Sequence, residues 1–343
     1  MKNDILIISN EAIHKSDNIY NCENLDLKSI PEALNVKNNV RLLGRTSKLK
    51  KNYEINGVDT LISGNILSYL LQIIKINKKY PLTKNFVISI SPYTFLACIL
   101  IFFLKKKPLV YLRSNGFEEY KAILGFIGPL IYSVMFFLVT KISKLISCRK
   151  HLLNGNNGEI VSPSHLTNKW FMKNTEVNLK KINLLYIGRL KVEKGIFSLV
   201  KILSENNIED IKLTIVSDKE NHHKLMKKNF LKLFDSQSNE NLIQFYDECN
   251  IFILPSFTEG HPQVLDEALA RQRPVLVFNE IAHVKRDREG VFVIERNFQS
   301  FKNKIDFIIK NYSEIQSKIR SNKSVLPTAD KFIAELEDIL VKS

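Results

Sequence analysis

The sequence predicts an α/β protein of two doubly wound domains, each built on a parallel sheet. Three observations lead to this fold class. The chain has 343 residues, which is long for a single core. Two series of short apolar strands alternate with helical patterns, and such alternation implies right-handed crossovers between parallel strands. A polar stretch without periodicity, residues 163–181, separates the two series and is interpreted as a linker.

The first series opens with an apolar strand at residues 5–9. No cationic segment followed by a long apolar run precedes this strand, so no signal peptide is expected. A loop-rich stretch follows the strand. The further elements that the pattern predicts are helices at residues 62–77 and 93–103, strands at 86–89, 109–113 and 145–147, and a short strand ending at residue 163.

The second series contributes five strands, predicted at residues 182–188, 211–217, 251–256, 274–279 and 290–295. The chain is therefore expected to divide into a first domain, a second domain and a C-terminal helix that can return to the first domain. The expected bounds are residues 1–165, 166–325 and 326–343. The interface between two such domains is the usual place for a ligand.

The net charge of +15 is concentrated in the first half of the chain. Residues 1–165 hold 22 lysines and arginines against 11 acidic residues, whereas residues 166–343 hold 28 against 24. Basic clusters at residues 48–51, 105–107 and 141–150 adjoin apolar segments, which suits an anionic membrane surface. A general abundance of lysine in the source proteome would explain the same counts, and both interpretations stay open. Because no basic segment is interleaved with aromatics, nucleic acid is not an expected partner.

Residues 122–140 form a run of 19 residues without a charge. This length meets the criterion for a membrane-spanning helix. Gly125, Gly128 and Pro129 interrupt the first third of the run, and strands precede and follow it. We therefore expect a core or interfacial helix rather than a span.

Metal and disulfide sites are not expected. The four cysteines never form a C-x-x-C pair and are interpreted as reduced thiols in a cytosolic protein. No two aspartates stand two positions apart, so the chain lacks an Asp-x-Asp pair that would hold a metal ion on a diphosphate.

The first stretch with chemical content is LLYIGRLKVEKG, residues 184–195. Its apolar half is typical of a buried central strand, and Gly188 permits a sharp exit from that strand. Arg189 and Lys194 follow at the strand's carboxyl end, the edge at which open α/β sheets bind ligands. Two cations at that edge predict an anionic ligand, and phosphate is the expected one.

The second such stretch is FILPSFTEGHPQVLDEALARQRPVLVF, residues 252–278. A strand ending near Leu254 leads through a turn into a helix that begins near Pro262. Unpaired backbone N–H groups at a helix N-terminus can receive an anionic or hydroxyl-rich ligand. Glu259 precedes the helix and Glu267 lies within it, so both carboxylates can reach one pocket. Either glutamate alone would also fit an ordinary structural role, as a helix-dipole partner or a solvated helix residue.

In order and spacing, the two stretches resemble the retaining glycosyltransferases of family 4, whose pattern is G-R-x-x-x-x-K-G followed by E-G-x-P-x-x-x-x-E. The resemblance implies the GT-B fold, in which two Rossmann-like doubly wound domains face a central cleft and bind the acceptor and the donor, respectively. It also implies that Arg189 and Lys194 bind the donor diphosphate, Glu267 the ribose hydroxyls and Glu259 the donor sugar. The other donor-binding positions that it implies are Gly188, Gly260, His261, Pro262, Gln263 and Val264.

The resemblance implies an enzyme: a hexosyltransferase-like, metal-independent retaining glycosyltransferase without a cofactor. The expected donor is a nucleoside diphosphate sugar, and the expected acceptor is a glycan or lipid-linked glycan in the synthesis of a surface polysaccharide such as lipopolysaccharide. The expected location is the cytoplasm, at the inner face of the cell membrane. Two alternatives stay open, a nucleotide-sugar epimerase of the same fold and a noncatalytic peripheral membrane protein.

Several positions depart from the family pattern. The tripeptide Arg271-Gln272-Arg273 stands where small residues are usual, and residues 279–287 replace a loop that usually contains Gly-Gly. An unusual choice of donor sugar is therefore expected. No role follows for the tripeptide Arg113-Ser114-Asn115 in the first domain. Three histidines are candidate polar contacts, although each would equally suit an ordinary surface or core position: His14, His165 and His261.

Overall fold

The chain folds into two α/β units. A computed structural model describes residues 2–172, 177–206, 210–218, 222–223, 225, 228–259 and 261–342. The first unit contains residues 1–163 together with 330–343, and the second contains residues 164–329. The division therefore falls at residue 163 rather than 165, and at residue 329 rather than 325.

The first unit is built on a nine-stranded sheet. Its strands are β1 (Asp4–Ser16), β2 (Ile19–Cys22), β3 (Asn39–Ser47), β4 (Tyr53–Ile55), β5 (Asp59–Ser63), β6 (Lys84–Ile88), β7 (Leu109–Leu112), β8 (Lys144–Ser147) and β9 (Glu159–Ile160). Its first helices are α1 (Leu25–Asn35), α2 (Ile66–Lys79), α3 (Pro92–Phe103), α4 (Gly116–Leu124) and α5 (Gly128–Ile142). The strands in the order β5, β3, β1, β6, β7, β8 and β9 all run parallel.

The prediction of a loop-rich stretch after the first strand was wrong. Residues 10–61 continue β1 and form α1 and β2 to β5. Two of these strands, β2 and β4, are antiparallel additions to the sheet. They are short and partly polar, so they lack the apolar run that marks the central strands. Helix α1 contains Pro31, a residue that usually ends a helix in a sequence pattern.

The two faces of the first sheet are covered by different helices. Alternate residues of a strand point to opposite faces. In β1, Ile5 and Ile7 pack in a core with α1, whereas Leu6 and Ile8 pack in another core with α2, α3 and α5. This alternation explains why the central strands are apolar throughout.

The uncharged run at residues 122–140 forms most of a helical hairpin. Helix α4 ends at Leu124, a 3₁₀ turn spans Gly125–Ile127, and α5 then runs back toward β8. Within the described residues, one helical stretch, Gly125–Ile142, is long and apolar enough to cross a membrane by length and composition. Only 28% of that stretch is buried in the fold.

The second unit is built on a six-stranded parallel sheet. Its strands are β10 (Ile182–Ile187), β11 (Ile211–Ser217), β12 (Leu231–Asp235), β13 (Ile251–Leu254), β14 (Val275–Phe278) and β15 (Val291–Ile294). Its helices are α6 (Ile196–Ser204), α7 (Asn239–Glu248), α8 (Gln263–Ala270), α9 (Phe298–Lys310) and α10 (Tyr312–Arg320). The strand order β12, β11, β10, β13, β14, β15 reverses between β10 and β13. Ligands of doubly wound sheets bind at the carboxyl ends of the strands that flank such a reversal.

The segment interpreted as a linker is partly built into the second unit. Residues Asn168–Phe171 form a 3₁₀ turn, and Trp170 is fully buried with its ring against Tyr246. Ser164 donates a hydrogen bond to the carbonyl oxygen of Pro327. The few apolar residues of this stretch anchor it to the second unit, but they follow no regular period. For that reason the sequence shows no helix or strand pattern there.

The last helix, α11 (Ala329–Val341), packs against the first unit. Phe332, Leu336 and Leu340 are buried in the core that contains α1, and the ring of Phe332 lies 6.2 Å from that of Tyr111 in β7. Glu335 accepts a hydrogen bond from the backbone N–H of Ser162. The end of the chain therefore completes the core of the domain with which the chain begins.

We expect Phe332→Ala to destabilise the first unit by about 3–5 kcal/mol, because it removes a buried ring and leaves a cavity. Hydrogen exchange followed by mass spectrometry should show faster exchange in β6 and β7. Asp338→Ala is the matched control, since this exposed residue makes only an i,i+4 ion pair with Lys342. Equal exchange in the two variants would contradict the packing role of α11.

Candidate functional site

Two loops meet at the carboxyl edge of the second sheet, where the strand order reverses. One loop follows β10 and carries Arg189 and Lys194, and the other follows β13 and carries Glu259. The hydroxyl of Tyr186 donates a hydrogen bond of 2.9 Å to the carbonyl oxygen of Arg189, which fixes the exit from β10. The Arg189 side chain is exposed at this edge. Gly188, at the exit, has φ +156°.

Lys194 and Glu259 are in direct contact. The Lys194 Nζ atom lies 2.7 Å from Glu259 Oε1, and the Ser256 hydroxyl donates to the same oxygen at 2.6 Å. The backbone carbonyl oxygen of Glu259 lies 2.9 Å from His283 Nε2. The glutamate side chain is only 9% exposed. The carboxylate thus stands in a fixed position, with its charge balanced by a lysine that is itself partly open to solvent.

The two loops interlock at Gly195. This residue has φ +66°, and a Cβ atom there would lie 1.8 Å from the carbonyl oxygen of Pro255. The backbone N–H of Phe257 donates to the carbonyl oxygen of Glu193 at 2.9 Å. Only glycine fits at this crossing, both because of its positive φ and because of the backbone that it touches. The second glycine of the first motif is therefore explained by the close approach of the two loops.

Arg296 packs against the second loop and hydrogen-bonds to its backbone. Its guanidinium lies between the rings of Phe257 and Phe278, with centroid distances of 4.0 and 4.1 Å. The same group donates to the carbonyl oxygens of Pro255 and Ser256, at 2.9 and 3.3 Å. The motifs did not reveal this arginine, because it follows β15, about 40 residues after the loop.

Glu267 is buried in the second turn of α8. The Tyr246 hydroxyl lies 2.8 Å from Glu267 Oε2 and 3.1 Å from the carbonyl oxygen of Val264. Burial raises the pKa of Glu267 from 4.5 to about 7, while the Tyr246 hydrogen bond and the nearby His165 oppose part of that rise. The same burial raises the pKa of Tyr246 well above 10, so this hydroxyl keeps its proton and remains a donor. Tyr246 is a second residue that the motifs did not reveal.

The start of α8 holds a further ion pair. Pro262 is the N-cap residue, and Gln263 and Val264 begin the helix. Buried Asp266 lies 2.8 Å from Arg288 Nη2 and 3.6 Å from His261 Nε2. Gly260, predicted as a donor-binding position, lies outside the described residues.

The arginines that depart from the family pattern have structural roles. Arg271 forms a bidentate pair with Asp247, at 2.8 Å for each bond, and donates to the carbonyl oxygens of Trp170 and Met172. Arg273 donates to the carbonyl oxygens of Tyr246 and Asp247 at the end of α7, where a cation is favourable. These contacts account for both arginines without a donor sugar, so they give no support to the expectation drawn from this tripeptide.

The remaining candidates are dispersed. His14 lies in β1, where its Nδ1 atom is 3.1 Å from the carbonyl oxygen of Ser47 in β3. Arg113, at the carboxyl end of β7, forms ion pairs with Asp26 at 3.0 Å and Glu11 at 3.6 Å. Neither carboxylate of this cluster was singled out in the sequence. Asn115 caps α4 by accepting from the N–H of Phe117.

The described residues contain no group of three or more His, Cys, Asp or Glu side chains arranged to hold a metal ion. The charged groups at the carboxyl edge of the second sheet include Arg189, Lys194, Glu259 and Glu267. This combination can bind an anion through its cations and hydroxyl groups through its carboxylates.

Comparison with known proteins relates this site to one family. Residues 168–324 match the family model described as "Glycosyl transferases group 1". The capsular polysaccharide biosynthesis glycosyltransferase CapM of Staphylococcus aureus is 25% identical over 336 residues, covering 83% of this chain and 86% of that protein.

Solved structures share the fold across the whole chain. HepE of Anabaena, crystallised with UDP, superposes with a TM-score of 0.73 at 11% identity, covering 99% of this chain and 100% of its own. A further HepE structure contains UDP-glucose. WaaG, a glycosyltransferase involved in lipopolysaccharide biosynthesis, superposes with a TM-score of 0.68 at 13% identity, with coverage of 99% and 100%. Residues 168–324 therefore resemble the glycosyl transferases group 1 family, and the chain has the GT-B fold.

Proposed function

We propose that the protein is a retaining glycosyltransferase that transfers a hexose from a nucleoside diphosphate sugar to a glycan or lipid-linked acceptor without a metal ion. The observation that carries this proposal is the arrangement at the strand-order reversal of the second sheet. There, Lys194 contacts Glu259 beside the exposed Arg189, and the buried Glu267 lies within the adjacent helix. The UDP and UDP-glucose bound to HepE support a nucleotide-sugar donor of this class.

The charges suit the departure of a nucleoside diphosphate. When the bond between the anomeric carbon and the β-phosphate oxygen breaks, negative charge grows on that phosphate. Arg189 and Lys194 would stabilise this charge more strongly in the transition state than in the ground state. The acceptor oxygen bonds to the anomeric carbon on the face that the phosphate leaves, and its proton passes to the leaving phosphate oxygen.

The two glutamates would hold the sugar and the ribose. Glu259 accepts from Lys194 and Ser256 through Oε1, and a carboxylate has further lone pairs for hydroxyl groups of the donor sugar. Glu267 would accept from the ribose hydroxyls at the N-terminus of α8. Hydrogen bonds of this kind fix the anomeric carbon relative to the acceptor. We assign the backbone from Gly260 to Val264, with Gly188, to the same donor pocket.

The cellular role that we propose is surface polysaccharide synthesis at the inner face of the cell membrane. The roles of CapM in capsular polysaccharide synthesis and of WaaG in lipopolysaccharide synthesis support this assignment. The excess of basic residues in the first half of the chain supports a location on an anionic membrane surface.

The proposed reaction can be tested with a panel of nucleotide sugars and an oligosaccharide acceptor. We expect transfer from one donor of the panel, undiminished in excess EDTA, with the donor's anomeric configuration kept in the product. NMR anomeric couplings measure the configuration. Inversion of the configuration would contradict the mechanism. Abolition of transfer by EDTA, with rescue by magnesium, would also contradict it. Interconversion of donors without transfer would point to an epimerase, and inertness toward every donor to a noncatalytic protein.

Arg189→Ala and Lys194→Ala should each reduce turnover by roughly 10²-fold or more, the effect of losing one group that stabilises developing charge. Lys191→Ala is the matched control, because this lysine lies in the same loop but its side chain is 53% exposed. Its ion pair with Glu193 is long, at 4.0 Å, and should contribute little. Steady-state kinetics and circular dichroism would separate lost turnover from lost folding. Wild-type turnover in both test variants would remove the diphosphate assignment.

Glu267→Gln should stabilise the free protein at pH 8 while weakening nucleotide binding. The folded-state pKa of about 7 lies above the unfolded value of 4.5, so burial of Glu267 carries little penalty below pH 4.5, destabilises increasingly as pH rises from 4.5 to about 7, and carries its full penalty above pH 7. The gain on substitution is about 3 kcal/mol at pH 8, as an upper bound, and falls to about 1 kcal/mol or less at pH 5.

Urea denaturation at pH 5 and pH 8 would measure this effect. Glu240→Gln is the control, since Glu240 is an exposed carboxylate whose ion pair with Lys169 contributes little. A Glu267→Gln variant that is no more stable at pH 8 than at pH 5, relative to wild type, would show that the buried carboxylate carries no such penalty.

A further inference from the structure

The hairpin of α4, the following 3₁₀ turn and α5, here called the apolar hairpin, exposes a stripe of large apolar side chains. On α5 the stripe follows one helical face, with spacings of three and four residues. Its members on the hairpin are Ile123, Leu124, Phe126, Ile127, Leu130, Ile131, Val134, Phe137 and Leu138, each at least 40% exposed. Phe102 and Phe103, at the end of the neighbouring α3, are also exposed. Continuous apolar surface of this kind usually marks an interaction site.

The opposite face of α5 is part of the fold. Tyr132, Met135, Phe136 and Val139 are buried in the core with α2 and α3. A membrane-crossing position would pull these four side chains out of that core. The same helix that satisfies the length criterion for a span is therefore anchored to the sheet along its whole length.

The two helices of the hairpin are locked to each other. A Cβ atom at Gly128 would lie 1.9 Å from the carbonyl oxygen of Tyr120, and one at Gly116 would lie 2.1 Å from the ring of Tyr132. The ring of Phe117 packs edge-on against Tyr132, with centroids 4.8 Å apart. The hairpin thus presents its stripe on a rigid support, and binding need not first order a flexible segment.

Charges at the ends of the stripe indicate which kind of surface binds it. Five exposed lysines lie on the hairpin or at the ends of α3 and α5, against two exposed carboxylates, Glu118 and Glu119, in the first turn of α4. The lysines are Lys105, Lys107, Lys121, Lys141 and Lys144. No charged residue lies between Lys121 and Lys141. A protein partner would be expected to meet polar groups within its contact area, whereas a wholly apolar stripe with cations at its ends matches an anionic lipid surface.

We propose that the apolar hairpin lies in the plane of an anionic bilayer, with its stripe inserted among the acyl chains and its flanking lysines at the headgroups. This inference deepens the membrane association proposed above, and it assigns that association to one hairpin of the first unit. Because apolar insertion is not screened by ions, binding should outlast the loss of the electrostatic component at high salt.

Vesicle flotation tests the proposal. Wild-type protein should bind vesicles of phosphatidylglycerol and phosphatidylcholine at 0.15 M salt and keep most of that binding at 1 M. The double substitution Leu130→Glu with Phe137→Glu should weaken binding at least tenfold. Val36→Glu is the matched control, because Val36 is 73% exposed at the end of α1, on the other face of the sheet. Undiminished binding by the double variant would overturn the proposal.

A depth measurement gives an independent readout. The chain has one tryptophan, Trp170, which is buried in the second unit. Emission of a Phe126→Trp variant should be quenched by lipids brominated on their acyl chains, while wild-type emission should not change on the same vesicles. Absence of quenching would rule out insertion. Insertion would also be ruled out if the wild-type protein did not bind vesicles and instead formed a dimer that the double substitution abolishes.

Transfer by the double variant to a water-soluble acceptor, without vesicles, should equal that of wild type. If the double variant loses lipid binding but keeps transfer, the substitutions affect the hairpin alone. This measurement therefore tests the two proposals separately. Conversely, a protein that binds vesicles but transfers no sugar would contradict the proposed function and leave the hairpin assignment standing.

Discussion

The crossing of two loops at Gly195 is the constraint on which the candidate site depends. The backbone of the first loop touches the carbonyl oxygen of Pro255 so closely that no side chain fits between them. This contact sets the separation of Lys194 and Glu259, and Arg296 fixes the second loop from the other side through two rings and two carbonyl oxygens. The site is thus held by backbone geometry and the contacts of Arg296, in addition to the ion pair between Lys194 and Glu259.

The fold was predictable where burial is complete. Strands such as β13 and β14, covered on both faces, are continuous apolar runs, so their positions and parallel direction follow from the sequence. The strands β2 and β4 were missed because three or four residues leave no comparable pattern, and β3 and β5 were missed because charged and polar residues interrupt their apolar positions. The packing of Trp170 was missed for a related reason, since an isolated anchor in a polar segment has no period.

The candidate site was predictable as far as its motifs extend. The structure places Arg189, Lys194 and Glu259 on two loops at the same sheet edge and puts Lys194 in contact with Glu259. The residues that support this arrangement come from distant parts of the chain. Tyr246 reaches Glu267 from α7, and Arg296 reaches the second loop from beyond β15. Such supporting contacts depend on tertiary packing, so no local spacing could have revealed them. The same limit applies to Arg271 and Arg273, whose substitution for small residues suggested specificity and proved to support α7.

The discontinuous first unit has a consequence for synthesis. Its sheet is complete once residue 160 has emerged from the ribosome, but Phe332, Leu336 and Leu340, which cover part of one face, are made only after the entire second unit. The nascent first unit must therefore wait through about 170 residues with an uncovered apolar surface, at elongation rates of about 5–20 residues per second. For roughly ten seconds or more, this surface is available to chaperones or to premature association. The order of the chain thus makes the second unit the first able to finish folding, although it is synthesised later.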